Sequence, residues 1–322
     1  MSDFSKVVIV CNNRAELGPL ESVIAALPGA KVVGLAEELQ VGHPTGVIAV
    51  GLHYFTAVLR DASVVVLLGD RYETLSAALA AMFLRVKIVH IHGGETTTGS
   101  FDNALRHIIT HLAEQSGGVH CVATDDAKNR VFELGEGDVI KRIHITGAPG
   151  LDGVVGNSAR RDSPLILVTY HPETCASDYG VAGVMAMLTA LDHSSVRHLH
   201  ICISRSNYDP GRDKIMEALD QWQVTRMRAE FMDYSHDKYV ARMQSAVLVI
   251  GNSSAGIIEA PWVGVPSVNI GNRQNGRPMA SSVFQGIDSI NEALSWKGPW
   301  EPIYQGGAAP KIAAVVARLL DA

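Results

Sequence analysis

Short apolar runs alternate with longer amphipathic segments along most of the chain. The first run is Val7–Val10, and similar runs recur through both halves of the sequence. Strands buried in a parallel sheet have such uniformly apolar sequences, because helices cover both faces of the sheet. The pattern predicts an α/β protein with strands at Val7–Val10, Val64–Leu68, Lys87–Ile91, Leu165–Thr169, 198–203, 247–250 and 267–270.

Helical periodicity fills several of the intervals and the C-terminal segment 310–320. A chain of 322 residues exceeds one comfortable core, so two domains of roughly 150 residues each are expected. The polar segment 151–164 is the expected linker between them. We therefore predict two Rossmann-like, doubly wound domains facing a central cleft, at 1–155 and at 156–322, with the C-terminal helix in the second. Ligands are expected at the carboxyl ends of the strands.

Charge and cysteine content exclude several classes of function. The net charge of −6 argues against a nucleic-acid partner, which would require a basic surface. The 4 cysteines are scattered without a Cys-x-x-Cys pair, so neither a disulfide framework nor a thiolate metal site is indicated. No apolar stretch approaches the ~20 residues that span a bilayer. A cytoplasmic protein with reduced cysteines and no membrane partner is the expectation.

The stretch from Gly251 to Arg277 has the order of a phosphate site. An apolar strand ends at its start, and a small-residue segment that can begin a helix follows. Backbone N–H groups of Asn252, Ser253 and Ser254 would then point at an anion, where the helix dipole also favours negative charge. Glu259 lies about one and a half turns further on, where a carboxylate can accept hydrogen bonds from a ribose diol. Taken singly, these residues also suit an ordinary helix cap and turn.

Acidic residues of the first half follow predicted strands or begin a predicted helix. Asp70 follows the strand that ends at Leu68, Glu95 follows the next strand, and Asp102 opens a helix. Arg106 lies four residues after Asp102 on the same helix face and can orient its carboxylate. Each acid alone is more often a cap or a surface ion pair, but their convergence favours acid–base chemistry.

Histidines at two places in the sequence are candidate binding groups. His107 and His111 are four residues apart, but no general-base Glu lies between them and no third ligand is evident, so no metal site is predicted. His171 follows a strand and precedes Pro172, which keeps the histidine extended, so it can donate a hydrogen bond to a phosphate. It also suits a strand-end histidine that is satisfied by the protein.

Several short motifs stand in both halves of the chain. The second half contains Gly-Asn-Ser-Ser-x-Gly, Glu-Ala-Pro and Asn-Ile-Gly-x-Arg-Gln in order. The first half contains Gly-Asp-Arg-x-Glu, His-Gly-Gly-Glu-x-Thr and Asp-x-x-x-Arg-His, and Tyr-His-Pro-Glu follows. Taken together, these motifs resemble the hydrolysing UDP-N-acetylglucosamine 2-epimerases. The resemblance implies the glycosyltransferase-B architecture, a UDP-sugar substrate, no cofactor or metal, and a homodimer or homotetramer.

The resemblance also implies roles for individual residues, carried over by their place in the motifs. The nucleotide would lie mainly in the C-terminal half and the sugar would face the N-terminal half. The implied UDP-binding residues are Arg14, Arg71, His171, Asn207, Ser253, Ser254, Glu259 and Arg273. The implied catalytic residues are Asp70, Glu95, Asp102, Arg106 and His171.

The sequence departs from the family pattern at a few positions. The segment 33–39 is shorter than its counterpart and lacks the histidine of a Gly-x-His-Leu motif, and His43 is out of register. Ser206 stands where the family has proline. Two other functions stay open: a UDP-sugar glycosyltransferase of the same fold, and a nucleotide-sugar-binding protein without catalysis. The sequence also leaves open which N-acetylhexosamine is the substrate and whether the leaving nucleotide is UDP or GDP.

Overall fold

Each half of the chain builds its own parallel sheet. The computed structural model describes residues 3–40, 42–135, 139–156, 164–232 and 235–321. Contacts divide the chain into two units. The first unit comprises Met1–Glu95, Asp102–Gly153 and Tyr304–Ala322, and the second comprises Thr96–Phe101 and Val154–Ile303.

The first unit contains a sheet of 6 parallel strands in the order β2-β1-β3-β4-β5-β6. The chain order reverses between β1 and β3, which is the point where open α/β sheets bind ligands. Short 3₁₀ turns supplement the α-helices. The elements are β1 (Val7–Val10), α1 (Arg14–Ala26), β2 (Lys31–Val33), α2 (Pro44–Val58), β3 (Val64–Leu68), α3 (Tyr72–Leu84), β4 (Lys87–Ile91), α4 (Asp102–Gln115), β5 (Val119–Val122), α5 (Asp125–Leu134) and β6 (Ile143–Ile145).

Two apolar layers cover this sheet, one on each face. Val7 and Ile9 of β1 pack in one layer, and Val8 and Val10 pack in the other, because successive side chains of a strand point to opposite faces. The first layer also contains Ile312 from the C-terminal helix. The expectation that this helix belongs to the second domain is therefore wrong: its apolar face completes the core of the first unit.

The second unit contains a sheet of 6 parallel strands in the order β12-β11-β10-β7-β8-β9. The order reverses between β7 and β10. Its elements, followed by the C-terminal helix α11 of the first unit, are β7 (Leu165–Thr169), α6 (Val181–His193), β8 (His200–Ser204), α7 (Arg212–Val224), β9 (Ala229–Met232), α8 (His236–Ser245), β10 (Leu248–Gly251), α9 (Ala255–Trp262), β11 (Ser267–Asn269), β12 (Val283–Gln285), α10 (Ile290–Leu294) and α11 (Ala308–Asp321).

The second sheet is likewise apolar on both faces. Ile166 and Val168 of β7 face one cluster of buried side chains, and Leu165 and Leu167 face another. Doubly covered parallel sheets are thus confirmed in both units. Among the described helices, none combines the length and the apolar character needed to cross a bilayer.

The apolar runs located the central strands of both sheets. The bounds predicted for β1, β3, β4 and β7 agree with the structure, and the strand predicted at 198–203 is β8, His200–Ser204. The prediction missed β2, β5, β6, β9 and β12, most of which are short or partly exposed. The chain leaves the first unit after Gly153, and half of the polar segment proposed as a linker, residues 157–163, lies outside the described residues.

Candidate functional site

Arg106 organises the polar edge of the first sheet. Its guanidinium, 3% exposed, forms an ion pair with Asp70, which follows β3 after the left-handed Gly69. The other end of the guanidinium donates from Nη1 to the backbone carbonyl of Glu95, at 2.8 Å. The side chain therefore joins the turn after β3 to the loop after β4, and it holds the Asp70 carboxylate beside a positive charge.

Glu95 is 1% exposed and lies at the end of a tight turn. His92 and Gly94 of this turn have φ angles of 62° and 76°. The left-handed conformation is unfavourable for a residue with a side chain and is found mainly where the surrounding structure imposes it. The turn reverses the chain after β4 and places the Glu95 carboxylate inside the unit.

Tyr304 donates a hydrogen bond from its hydroxyl to Oε2 of Glu95, at 2.7 Å. Tyr304 is fully buried and precedes helix α11. The carboxylate of Asp152 caps that helix by accepting from the N–H groups of Gly307, Ala308 and Ala309 at 2.6, 2.9 and 2.7 Å. Sequence reasoning missed Tyr304, because it lies 209 residues from Glu95 in the chain and outside every recognised motif.

His90, buried in β4, supports the same cluster from behind. Its Nε2 lies 2.8 Å from the carbonyl oxygen of Gly69, and its Nδ1 lies 3.3 Å from the hydroxyl of Thr110 in α4. Because a carbonyl only accepts, Nε2 carries the ring proton and Nδ1 accepts from Thr110. Burial lowers the pKa of His90 to about 4, so the ring is neutral at physiological pH. It links the turn that contains Asp70 to the helix that contains Arg106.

Glu16 is a further acid at this edge that sequence reasoning did not single out. It lies in the first turn of α1 and is 6% exposed, and its Oε2 accepts from the N–H of Asn12 at 2.6 Å. Burial raises the pKa of Glu16 to about 7, against the opposing effects of the Asn12 N–H and the charge of Arg71. Its Oε1 has no hydrogen-bond partner among the described residues. A carboxyl group that titrates near neutral pH therefore sits at the β1–β3 reversal.

In the second unit, Asn252 joins the two strands at the β7–β10 reversal. Its side chain accepts from the N–H of His171 at 2.7 Å and donates to the carbonyl of His171 at 2.8 Å. Its backbone N–H donates to Thr169 at 3.1 Å. The expectation that the N–H of Asn252 points at an anion is therefore wrong, since Thr169 already accepts it. Asn252 instead fixes the backbone of His171.

The strand end at Gly251 allows no side chain. A Cβ on Gly251 would lie 1.9 Å from the carbonyl oxygen of Thr169. The next residues, Ser253 and Ser254, precede helix α9, and their backbone N–H groups make no hydrogen bond within the described part of the chain. Two donors therefore remain at a helix N-terminus, where an anion is favoured.

His171 and Glu259 lie near this helix start. Nδ1 of His171 accepts from the N–H of Asn207 at 3.1 Å, so the proton of a neutral His171 is on Nε2. Glu259 is 9% exposed on α9, with Oε1 3.8 Å from Nε2 of His236. Oε2 of Glu259 is buried without a hydrogen-bond partner among the residues described. Such an acceptor suits a ligand hydroxyl, because an unmade buried hydrogen bond is costly.

Arg273 approaches the same unit's polar edge from the loop after β11. Its Nη2 lies 3.9 Å from Oδ2 of Asp209. The loop is fixed upstream by Glu173, whose Oε2 accepts from the N–H of Asn272 at 3.2 Å. A Cβ on Gly271 would meet Oε1 of Glu173 at 1.9 Å, so the motif requires glycine there.

The other predicted residues have the following places. Asp102 is the first residue of α4 and is half-buried, and the predicted contact that would orient it through Arg106 stays a prediction. Arg71 immediately precedes α3 and pairs with Glu73, with Nε and Oε2 3.3 Å apart. Arg14 begins α1, and its side chain lies outside the described part of the structure.

Comparison with known proteins shows the family to which the chain belongs. A profile described as UDP-N-acetylglucosamine 2-epimerase matches residues 39–295. The chain belongs to this family. The matched range includes the acidic residues Asp70, Glu95 and Asp102 of the first unit and the β7–β10 reversal of the second unit. Glu16 and Tyr304 lie outside the matched range.

Relatives within the family include two curated bacterial proteins. The chain is 30% identical to the Campylobacter jejuni protein named GDP/UDP-N,N'-diacetylbacillosamine 2-epimerase (hydrolyzing), over 71% of this chain and 62% of that protein. It is 32% identical to the Legionella pneumophila protein named UDP-N,N'-diacetylbacillosamine 2-epimerase (hydrolyzing), over 74% of this chain and 64% of that protein. The matches thus span less than two thirds of the length of these relatives.

Solved structures of the 2-epimerase family share the fold. The crystal structure of the UDP-GlcNAc 2-epimerase from Neisseria meningitidis bound to UDP-GlcNAc covers 98% of this chain and 99% of its own, with a TM-score of 0.76 at 16% identity. At this identity the comparison establishes the fold. Two Rossmann-like units, predicted from the apolar runs, are confirmed.

The raised pKa of Glu16 predicts a pH dependence of stability. Between its ordinary pKa of 4.5 and the folded value of about 7, the folded chain keeps a proton that the unfolded chain loses. The contribution of Glu16 to the free energy of unfolding is therefore full below pH 4.5 and decreases as the pH rises through 7. Glu16→Gln keeps an acceptor for Asn12 and removes this loss, so it should be more stable than the unmodified protein above pH 7, by roughly 1–3 kcal/mol.

Urea denaturation of both proteins between pH 5 and pH 8 measures this difference. The difference in free energy of unfolding should grow with pH and level off above the folded pKa. Glu21→Gln, at an exposed position of the same helix, is the control. A constant difference across the range would show that Glu16 titrates normally.

Proposed function

We propose that the protein is a hydrolysing 2-epimerase of nucleotide-linked N-acetylhexosamines, with UDP-N-acetylglucosamine or a 2,4-diacetamido-6-deoxy analogue as substrate. The observation that supports this most directly is the placement of two acids around the buried guanidinium of Arg106, which forms an ion pair with the Asp70 carboxylate and donates to the backbone carbonyl of Glu95. Proton transfer at carbon requires a base and an acid held in fixed positions. Family membership makes a nucleotide sugar the substrate class to which that chemistry applies.

The proposed reaction has two steps. A base removes the proton at C2 while the C1–O bond breaks, and UDP departs with the bonding electrons to leave a 2-acetamidoglycal. Water then adds its hydroxyl to C1, and an acid delivers a proton to C2 from the opposite face. The products are UDP and an N-acetylmannosamine-type sugar. The two proton transfers balance, so the chain needs no oxidant or reductant for this chemistry.

In this proposal, Asp70 accepts the C2 proton. Its turn is held on one side by the ion pair with Arg106 and on the other by the hydrogen bond from His90 to Gly69. Glu95 and Asp102 supply the opposite-face proton and position the water. Glu95 has the better-defined environment of the two, because Tyr304 fixes its carboxylate. Asp102 begins a helix, where a carboxylate is favoured by the dipole.

The nucleotide is assigned to the second unit. The N–H groups of Ser253 and Ser254, which have no partner among the described residues, and the Nε2 proton of His171 supply donors for the diphosphate, together with Arg273. Oε2 of Glu259, which also has no partner among those residues, supplies an acceptor for the ribose hydroxyls. Asn207 of the same unit completes the set, and the UDP-binding roles of Arg14 and Arg71 stay predictions from the family motifs. Stabilising the departing diphosphate is the largest electrostatic demand of the first step.

The proposal also covers the substrate class, the pathway, the compartment and the oligomeric state. The names of the bacterial relatives favour 2,4-diacetamido substrates and include both GDP and UDP as the nucleotide. A product of this class is a precursor for sialic-acid or legionaminic-acid synthesis. We assign the protein to the cytoplasm, which suits its free cysteines, and to a homodimer or homotetramer. A glycosyltransferase of the same fold would use the same nucleotide site and differs by requiring an acceptor.

Incubation of the protein with UDP-N-acetylglucosamine and with UDP-N,N'-diacetylbacillosamine, without any acceptor, tests the reaction. We expect release of UDP and of the 2-epimerised free sugar. In deuterated water the product should contain deuterium at C2, because the proton removed in the elimination exchanges with solvent. Proton NMR detects both. Turnover only when an acceptor is added would identify a glycosyltransferase, and product with its original C2 hydrogen would exclude the elimination.

Replacement of Asp70 and of Asp102 distinguishes the elimination step from the hydration step. Asp70→Asn should nearly abolish UDP release, because elimination cannot begin, whereas Asp102→Asn should release some 2-acetamidoglycal, because only hydration stalls. UDP and glycal are quantified separately by chromatography. Asp61→Asn, at an exposed position of the same unit, is the control. A thermal unfolding transition close to that of the unmodified protein shows that Asp70→Asn is folded. If glycal came from Asp70→Asn and not from Asp102→Asn, the two roles would be exchanged.

Tyr304→Phe removes the hydrogen bond to Glu95 and leaves the ring in place. A hydrogen bond to a charged group is worth about 1.5–3 kcal/mol, so kcat should fall roughly 10- to 100-fold while KM changes little. The ratio of glycal to hydrated sugar should rise, because Glu95 acts in the second step. Loss of folded protein would lower both products equally and leave that ratio unchanged. Tyr208→Phe, at an exposed tyrosine, is the matched control.

A further inference from the structure

A second cluster of chemically distinctive side chains lies in the second unit, on β8 and β9. His200 and Cys202 are two residues apart on β8, so they point to the same face of the sheet. Glu230 on β9 is the registered partner of Cys202. The three side chains belong to no motif of the family and have no part in the proposed reaction. They combine an imidazole, a thiol and a carboxylate at one place.

The spacing of their donor atoms is that of metal ligands. Oε1 of Glu230 lies 3.2 Å from Nε2 of His200 and 3.3 Å from Sγ of Cys202. The three donor atoms all lie within 4.8 Å of one another. A tetrahedral zinc ion with bonds of about 2.0–2.3 Å separates its ligand atoms by roughly 3.3–3.7 Å. Two of the three separations therefore need almost no adjustment to accept an ion.

We infer that His200, Cys202 and Glu230 form a binding site for one divalent transition-metal ion of the Zn²⁺ type, with water as the fourth ligand. A thiolate and an imidazole select Zn²⁺ or Co²⁺ over Mg²⁺ and Ca²⁺, which prefer oxygen ligands alone. Binding replaces the thiol proton, now donated to Glu230, by the metal–sulfur bond, and the proton passes to solvent. The site needs no redox step.

Burial of the three residues suits this assignment. Cys202 is fully buried among Met232, Val240 and Met243, which fixes the sulfur in place. The side chains of His200 and Glu230 are 41% and 47% exposed, so an ion and its water can reach them from solvent. The site is thus anchored on one side and open on the other, as three-ligand zinc sites are.

Arg242 competes with a metal ion for the carboxylate of Glu230. Its Nη2 lies 3.7 Å from the same Oε1 of Glu230, and its side chain is 42% exposed. A bound dication would displace the guanidinium, which can turn toward solvent. Arg242→Gln should therefore strengthen metal binding, since it removes a positive charge without removing a ligand.

The position of the site on β8 and β9 predicts the effect of a bound metal ion. His200 is the first residue of β8, whereas Ser253 and His171 lie beyond the carboxyl ends of strands in the same sheet. The ion would join β8 to β9, the edge strand of the sheet, far along the strands from the nucleotide residues. Its expected effect is stabilisation of the folded unit by mass action, without a change in the proposed chemistry. The inference is therefore independent of the proposed function.

Titration of the full chain with Co²⁺ tests the site directly. A Cys175→Ser background removes the exposed thiol. We expect one equivalent of Co²⁺ to give a thiolate-to-cobalt charge-transfer band in the near ultraviolet, and Zn²⁺ to displace it. Cys202→Ser should abolish the band. His200→Ala and Glu230→Gln should each weaken binding at least tenfold, while the neighbouring His198→Ala should leave it unchanged.

A thermal unfolding series with Zn²⁺ provides the second readout. The metal should raise the Tm of the Cys175→Ser protein and leave that of Cys175→Ser/Cys202→Ser unchanged, and Arg242→Gln should bind Co²⁺ more tightly. No charge-transfer band, or a band that survives Cys202→Ser, would overturn the assignment. So would a band unaffected by both His200→Ala and Glu230→Gln, because a lone thiol would then be the ligand.

Discussion

Parallel pairing places the carboxyl ends of neighbouring strands at one edge of a sheet, and both units depend on this constraint. Their strands are buried on both faces, so polar side chains collect where the strands end. In the first unit Asp70 and Glu95 follow β3 and β4. In the second, His171 follows β7 and Asn252 follows β10. Each set meets at or beside the point where the strand order reverses.

Within the first unit, one buried cation determines the arrangement of the acids. Arg106 is almost inaccessible to solvent, and a buried charge without compensation is strongly destabilising. The Asp70 carboxylate and the Glu95 carbonyl supply the compensation, which also fixes the two loops that contain them. His90 supports the arrangement as a neutral ring, because burial lowers its pKa to about 4. Packing and electrostatics thus position the groups proposed for catalysis.

In the second unit, hydrogen bonds of side-chain amides hold the backbone around His171 and Asn252 in place. Asn252 is fully buried, and its side chain is satisfied on both sides by the backbone of His171. Its carbonyl accepts from the Gln274 amide at 2.9 Å, so the loop that contains Arg273 is tied to the same strand end. Near the start of α9, the N–H groups of Ser253 and Ser254 and Oε2 of Glu259 have no hydrogen-bond partner among the described residues. A ligand with phosphate and hydroxyl groups would complete these.

The sequence by itself determined the central strands and the local motifs, because apolar runs and the order of small and polar residues are local properties of the chain. The place of Glu259 on α9 belongs to this class, whereas the requirement for glycine at Gly251 comes from its contact with Thr169 on another strand. Tyr304 beside Glu95, α11 in the core of the first unit, and the cluster around Cys202 were decided only by the tertiary structure. Each of these features brings together residues from separate segments of the chain. Composition and spacing do not predict such contacts. The raised pKa of Glu16 is of the same kind, since burial causes it.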